Sequence, residues 1–259
     1  AFVLTKNRLE EILPYLTYLR VNFSAGEKKR YSEIMGVKEK AFDRVCQNIK
    51  DMVEIKKRDN LPVTIGMQMV LMPQDGDQII PLAELGKKLR PDYVVIKHCT
   101  DNEDGNLGID YDAYEKLYPL LKKAESYSDD SYKVVIKWSK IKDKGNSGRS
   151  YQRCYGAPFM LQLSGTGLVA PCGALFNEKY KKFHIGNICE KRFKDIWKSD
   201  KYWEVMNYLA SPKFNAQKMC ASLCLQHKVN ETLDNYLKDK VSLKLNKKSS
   251  KKPLHINFV

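Results

Sequence analysis

Short apolar runs alternate with amphipathic segments through the first half of the chain. Four runs have the length and side-chain pattern of strands, namely residues 18–23, 63–72, 93–97 and 134–136. Three segments between them carry apolar side chains at helical spacing, namely residues 38–57, 78–89 and 111–125. Strands separated by helices of this length predict right-handed β-α-β units and a parallel sheet.

The predicted sheet is small, and its chemistry is expected at one edge. Three or four strands are too few to close a barrel, so the pattern predicts an α/β fold whose parallel sheet is incomplete. Ser24 follows the first strand, and Lys97 and His98 end the third. The carboxyl ends of parallel strands usually carry the functional groups. Asp75 or Asp77 is the predicted N-cap of the helix over residues 78–89.

The pattern changes after residues 139–153, a Lys-, Gly- and Ser-rich stretch that predicts a linker. Residues 159–163 and 168–170 flank Ser-Gly-Thr-Gly and predict a β-hairpin with its glycines at positive φ. Residues 184–188 are interpreted as a turn. The last helix is expected to begin at residue 219 and to reach about residue 237. We predict a small cysteine-rich α+β domain over residues 154–238, after a first domain over residues 1–138.

A stretch of aromatic residues lies between the turn and the last helix. Trp197, Tyr202 and Trp203 occur there at helical spacing. This spacing is more typical of core packing than of a platform for stacking nucleic-acid bases, so we predict that the rings are buried.

Four cysteines are the strongest chemical signal in the sequence. Cys154 and Cys172 flank the predicted hairpin, and Cys220 and Cys224 follow after a gap of 47 residues. Two cysteines four apart on a helical turn point the same way, so the second pair is expected to face one centre. Soft sulfur ligands select zinc or an iron–sulfur cluster, and the spacing leaves both possibilities open.

The remaining cysteines have simpler interpretations. Cys46 lies on the apolar stripe of a predicted helix and is expected to be buried, whereas Cys189 has no partner nearby in sequence. Seven cysteines in 259 residues are too sparse for a disulfide scaffold, which favours a reducing cytoplasm. His184, His227 and His255 show no ligand-like spacing and are predicted to be structural or exposed.

A net charge of +14 first suggests an acidic partner such as nucleic acid. Residues 238–259 alone carry seven lysines against one acid, and the other basic residues are spread among acids. We therefore expect a basic, disordered tail over residues 239–259 and no dedicated nucleic-acid site. No apolar run approaches the roughly 18 residues of a membrane span, and the N-terminus lacks the core of a secretion signal.

The strand-end candidates each have two interpretations. Lys97 interrupts an apolar strand and either meets a cofactor carboxylate or phosphate, or pairs with an acid such as Asp101. Ser24 is either a cofactor contact or a turn former, and His98 is either a site residue or a satisfied polar residue. We take Ser24, Lys97 and His98 as the cofactor-binding candidates.

Several motifs together resemble one enzyme family. The cysteine spacing, Gly186-Asn187-Ile188 and the Phe-x-x-Ile-Trp segment at residues 193–197 resemble the SPASM domain, or its shortened twitch form, of radical S-adenosylmethionine enzymes. The resemblance covers about residues 150–230. The first half is similar to the fourth, fifth and sixth strands of that family's partial barrel, which implies that Ser24 faces the cofactor.

The resemblance implies cofactors and partners. Cys154, Cys172, Cys220 and Cys224 would hold one auxiliary 4Fe–4S cluster that binds substrate or accepts an electron. The intact enzyme would use S-adenosylmethionine and a second 4Fe–4S cluster, a reductant such as flavodoxin or ferredoxin, and a small-molecule or peptide substrate. Neither nucleic acid nor a membrane is expected as a partner.

The sequence also departs from the family. The Cys-x3-Cys-x2-Cys loop that holds the reactive cluster and the first barrel strands are absent, and only four of a full SPASM domain's seven cysteines match. We therefore expect a C-terminal fragment that does not catalyse the radical reaction alone, and its catalytic residues are unknown. The competing hypothesis is a zinc-stapled α/β module that binds an acidic partner through its basic tail.

Overall fold

The structure is a computed structural model that describes residues 2–101, 104–142, 149–220 and 224–239. The described residues form two compact units. The first contains residues 2–99 and 109–142, and the second contains the others. Each unit has its own apolar core. The domain boundaries predicted from the sequence stay predictions, and residues 240–259 of the basic tail lie outside the described residues.

A parallel sheet organises the first unit. Within the described residues its strands are β1 (Tyr18–Asn22), β2 (Thr64–Leu71), β3 (Tyr93–His98) and β4 (Lys133–Ile136). They lie side by side in chain order and all pairs are parallel. The predicted fold class, a partial parallel β/α barrel followed by a small α+β domain, is confirmed.

Helices connect the strands as the periodicity predicts. The helices of this unit are α1 (Lys6–Ile12), α2 (Lys28–Met35), α3 (Lys40–Arg58), α4 (Ile79–Leu89), α5 (Tyr118–Glu125) and α6 (Trp138–Ile141). The apolar stripe of α3 is buried, including Val45, Ile49 and Met52. The helix predicted over residues 111–125 begins with 3-10 geometry at Asp112–Leu117 before α5.

The two faces of the sheet differ in chemistry. One row across β1 to β4 consists of Val21, Met67, Val94 and Val134, all buried in the core. The neighbouring row, on the opposite face, contains Arg20, Gly66, Tyr93 and Lys133. Successive strand residues alternate between faces, so a single position decides whether a side chain joins the core or the polar face.

The predicted aspartate cap of α4 is wrong. Gln78 precedes α4 and makes no side-chain cap, while Asp75 and Asp77 bind the guanidinium of Arg30 at 3.0 and 2.9 Å. The guanidinium of Arg30 is charged, so its N–H groups bind carboxylates more strongly than neutral main-chain N–H groups do. Both aspartates therefore pair with Arg30 and do not cap the helix.

The second unit contains a short antiparallel sheet. Its strands within the described residues are β5 (Gln162–Leu163), β6 (Leu168–Ala170) and β7 (Gly186–Asn187). The predicted hairpin is present, and Gly167 adopts φ +80°, but Gly165 does not have positive φ. The turn predicted over residues 184–188 is wrong in part, because Gly186–Asn187 pairs with β6 as a third strand.

The helices of the second unit are α7 (Phe193–Trp197), α8 (Asp200–Leu209), α9 (Ala216–Met219) and α10 (His227–Asp239). The prediction of one last helix from residue 219 is wrong at its start. Cys220 follows α9 in an extended conformation, with φ −100° and ψ 151°, and α10 begins only at His227. Residues 221–223 lie outside the described part of the chain.

The predicted burial of the aromatic stretch holds for only some of its rings. Tyr202 is buried, whereas Trp197 and Trp203 are 51% and 56% exposed. Ile196 and Tyr202 are among the buried residues of α7 and α8, and each tryptophan is the next residue along its helix. One residue turns a helical side chain by about 100°, which moves both indoles off the core face.

Every helix in the described ranges is too short or too polar to cross a membrane.

Gly26 is required for the close approach of the segment after β1 to α4. A Cβ at this position would overlap main-chain atoms of Pro81 and Leu82, which cannot rotate away. We predict that Gly26→Ala lowers the free energy of unfolding by about 1–3 kcal/mol, the usual cost of overpacking. Urea unfolding followed by circular dichroism measures this change.

Gly165→Ala is the matched control, because a Cβ there meets no atom within 4 Å. Its unfolding free energy should stay within about 0.5 kcal/mol of the parent. Equal effects of the two substitutions would contradict the predicted overlap.

Candidate functional site

The four motif cysteines border one cavity in the second unit. Cys154, Cys172, Cys220 and Cys224 all line a space of about 220 Å³. Cys172 follows β6, Cys220 follows α9, and Cys224 precedes α10. The structure therefore brings the two distant cysteine pairs together around a shared volume.

Main-chain hydrogen bonds explain how the first cysteine reaches the later segments. The N–H of Cys154 donates to the carbonyl of Leu209 at the end of α8, at 2.9 Å. The N–H of Ala216 donates to the carbonyl of Gln152 at 2.7 Å, which ties the start of α9 to the same segment. Cys220 lies four residues after Ala216, so this pairing brings it close to Cys154.

The cavity wall is mostly apolar. Its apolar lining includes Ala157, Met160, Pro171, Leu175, Leu209 and Phe214. Burial raises the pKa of the Cys172 thiol to about 11 and also raises the pKa values of Cys154 and Cys220. Neighbouring cysteines raise these pKa values further, because deprotonated sulfurs repel one another. A metal that binds here must replace thiol protons, and its charge must offset that repulsion.

Arg149 supplies a buried positive charge beside this set. Its side chain is buried, and Nη1 donates to the carbonyl of Ala216 at 2.7 Å. Burial raises the pKa of Cys220, and the guanidinium of Arg149 is the largest influence that lowers it. Arg149 therefore favours the thiolate form that metals bind.

Asn230, on α10, contacts two of the four sulfurs. Its Nδ2 lies 3.7 Å from Sγ of Cys154 and 3.8 Å from Sγ of Cys224. Its Oδ1 accepts from the N–H of Gly156 at 2.7 Å. Neither Arg149 nor Asn230 was predicted from the sequence. No signal in the sequence pointed to Asn230, because the residues that α10 buries, Asn230 and Asp234, are both polar.

Among the residues that the structure describes, no three Cys, His, Asp or Glu side chains form a group that could hold a single metal ion.

The cavity is not lined by His184, His227, Cys46 or Cys189. His227 Nδ1 lies 3.2 Å from the Tyr151 hydroxyl, and His184 Nε2 lies 3.0 Å from the Leu175 carbonyl, in agreement with structural roles. Cys46 is buried, as predicted, and burial raises its pKa to about 11. Cys189 is exposed. His255 lies outside the described residues.

The strand-end candidates occupy different faces of the first unit's sheet. Ser24 is buried just beyond β1, and Lys97 and His98 are the last two residues of β3. Consecutive strand residues point to opposite faces, so Lys97 and His98 do not share one site. Burial, followed by the positive charge of Arg20, lowers the pKa of Lys97.

His98 is packed on the helix-covered side. Its ring makes edge contacts with Tyr111 and Tyr114, with centroids 5.4 and 5.6 Å apart. Its Nδ1 lies 2.6 Å from the carbonyl oxygen of Cys99. These contacts fix the carboxyl end of β3 from the core side.

We predict that alkylation distinguishes exposed from cavity cysteines in the reduced, metal-free chain. Cys189 should react with iodoacetamide at pH 7.5 at least about tenfold faster than Cys172, because each unit of pKa elevation lowers the thiolate fraction about tenfold. Mass spectrometry of tryptic peptides gives both rates. Cys46, whose pKa is raised equally, is the internal control and should also react slowly. Similar rates for Cys172 and Cys189 would contradict the burial of the cavity.

Comparison with protein families identifies the region that contains the cavity. Residues 154–225 match the SPASM family model, described as an iron-sulfur cluster-binding domain. The match includes all four cavity cysteines. No curated protein matches the sequence.

Solved structures show a similar fold. Streptococcus suis SuiB bound to S-adenosylmethionine has a TM-score of 0.57 and 18% identity, over 86% of this chain and 53% of that one. A second SuiB structure gives 0.55 and 17%, over 79% and 49%. SuiB bound to the precursor peptide SuiA gives 0.55 and 17%, over 86% and 52%. The chain thus spans about half the length of SuiB. Together the two comparisons confirm the resemblance on two points, since residues 154–225 match a SPASM domain and the fold is similar to that of SuiB, which has been solved with S-adenosylmethionine.

Proposed function

We propose that Cys154, Cys172, Cys220 and Cys224 ligate one auxiliary 4Fe–4S cluster, and that the chain is part of a radical S-adenosylmethionine enzyme. One observation carries the proposal. Four cysteines from two segments 47 residues apart line a single cavity inside a region that matches an iron-sulfur domain.

The residues fit a cluster better than a single zinc ion. Zinc needs its sulfur ligands within about 2.3 Å of one point. A 4Fe–4S cluster instead offers one iron to each of four thiolates and fills the space between them. The sulfurs here border an apolar volume, and Asn230 and Arg149 provide hydrogen-bond and charge compensation.

When bound, a cluster with one cysteine on each of its four irons supplies a one-electron acceptor, because no iron is left open for substrate. The chain's own residues hold it and control its surroundings. The apolar wall excludes water, and Arg149 offsets the negative charge that four thiolates bring into a buried space.

The sheet of the first unit is the proposed cofactor-binding region. Ser24 and Lys97 lie at the carboxyl ends of parallel strands, where cofactors usually bind, and we assign them direct contacts with S-adenosylmethionine. His98 faces the other side and supports the strand end instead. A second 4Fe–4S cluster, which cleaves S-adenosylmethionine, belongs to the intact enzyme.

The substrate of the intact enzyme is proposed to be a peptide. The support is that SuiB, which shares the fold, has been solved with its precursor peptide SuiA. Flavodoxin or ferredoxin in the cytoplasm is the proposed reductant, and a net charge of +14 suits association with an acidic electron carrier.

Anaerobic iron and sulfide analysis tests the cluster. The parent chain should contain about four irons and four sulfides after reconstitution, as the cluster's composition requires. Cys220→Ala should lose most of both, because the cluster loses a ligand. The matched control, Cys189→Ala, should retain them, since Cys189 is exposed and does not line the cavity. A colourless protein with stoichiometric zinc would instead favour the zinc-stapled module.

We further predict that the 259-residue chain does not cleave S-adenosylmethionine. Its sequence contains no Cys-x3-Cys-x2-Cys loop to hold the reactive cluster. Incubation of the reconstituted chain with S-adenosylmethionine and dithionite should give no 5′-deoxyadenosine by liquid chromatography. Formation of this product above the level of a no-protein control would refute the prediction.

A further inference from the structure

Asn230 connects the two cysteine pairs through a single amide group. Its Nδ2 contacts Cys154 from the first pair and Cys224 from the second. Asn230 is 1% exposed, so a bond lost from this amide is not replaced by bulk water. A buried amide is costly unless it is hydrogen-bonded, and here both of its ends are used.

The orientation of this amide is fixed by its other contact. The N–H of Gly156 is 2.7 Å from Oδ1, and a main-chain N–H can only donate. The carbonyl end of the side chain must therefore face Gly156, and the NH₂ end faces the sulfurs. The hydrogen-bond network thus determines that Asn230 is a donor to sulfur.

The absence of a side chain at residue 156 permits this arrangement. A Cβ there would lie 2.6 Å from Cβ of Gln226 and 3.3 Å from Oδ1 of Asn230. The glycine lets α10 approach the segment after Cys154 closely enough for the amide to reach both sulfurs.

We propose that Asn230 is a positioning residue that donates its amide hydrogens to two ligand sulfurs of the proposed cluster and thereby raises the cluster's reduction potential. This inference about Asn230 rests on the proposed function, namely that the four cysteines ligate a 4Fe–4S cluster. A donor stabilises negative charge on sulfur, and that charge increases when the cluster accepts one electron. The reduced state therefore gains more from the contact than the oxidised state, so the potential rises.

Other polar groups near the sulfurs make different contributions. Arg149 acts mainly on Cys220 through its charge, and the Tyr151 hydroxyl approaches Cys224. Asn230 contacts sulfurs of both cysteine pairs. Its substitution is therefore expected to affect the whole centre.

Asn230→Asp separates the donor role from simple packing. The carboxylate can still accept from Gly156 and has the same shape, but it presents a negative oxygen where the NH₂ group donates. Asn230→Ala removes both contacts. Gln226→Ala is the matched control, since Gln226 is another amide on the cavity wall and lacks a hydrogen bond to any of the four sulfurs among the described residues.

The measurement is an anaerobic redox titration of the reconstituted full chain, with mediators and dithionite as the one-electron donor. Electron paramagnetic resonance follows the reduced cluster. Asn230→Asp should change the oxidised-to-reduced ratio at fixed potential at least tenfold toward the oxidised form, which is about 59 mV for one electron. Asn230→Ala should change this ratio less, in the same direction, and Gln226→Ala should leave the ratio unchanged.

The outcomes separate this inference from the proposed function. Full iron content with an unchanged potential in Asn230→Asp would overturn the inference and leave the cluster in place. A parent chain without iron would overturn the proposed function itself. If neither variant retains iron, pulsed resonance on the reduced parent, labelled with ¹⁵N at asparagine, decides. A ¹⁵N coupling to the cluster is expected, and its absence would refute the contact.

Discussion

The second unit depends on holding two cysteine pairs around one apolar cavity although 47 residues separate them in sequence. Hydrogen bonds between segments make this possible. Cys154 bonds to the end of α8, Ala216 bonds to Gln152, and Asn230 bonds to Gly156. Each of these contacts ties the segment around Cys154 to a later part of the chain. Together they hold ligands that no local structure would bring close.

Burial creates an electrostatic conflict that the same unit must balance. It raises the pKa values of Cys154, Cys172 and Cys220 and so disfavours the thiolates that a metal requires. Arg149 opposes this effect with a positive charge, and Asn230 opposes it with hydrogen bonds. An apolar, water-excluding site is compatible with several thiolates only because such compensating groups are built into its wall.

The sheet of the first unit follows a simpler rule. Its helix-covered face is a continuous apolar core, and its other face carries polar and charged residues such as Arg20 and Lys97. His98 shows the consequence of strict alternation, because one step along β3 moves a side chain from the polar face into an aromatic cluster. Position along the strand, rather than residue type alone, decides which candidates are available to a cofactor.

The order of strands and helices, the α/β class and the hairpin could be predicted from the sequence, because periodicity and turn residues are local signals. The cysteine spacing and the Gly-Asn-Ile and Phe-x-x-Ile-Trp motifs likewise sufficed for the SPASM resemblance. Only the tertiary structure packed His98 among aromatic rings, ended α9 before Cys220 and exposed Trp197. It also revealed Arg149 and Asn230, whose roles arise from contacts across 67 to 76 residues. Hydrogen bonds over such distances leave no periodic trace in a sequence, so they become visible only when the chain is folded.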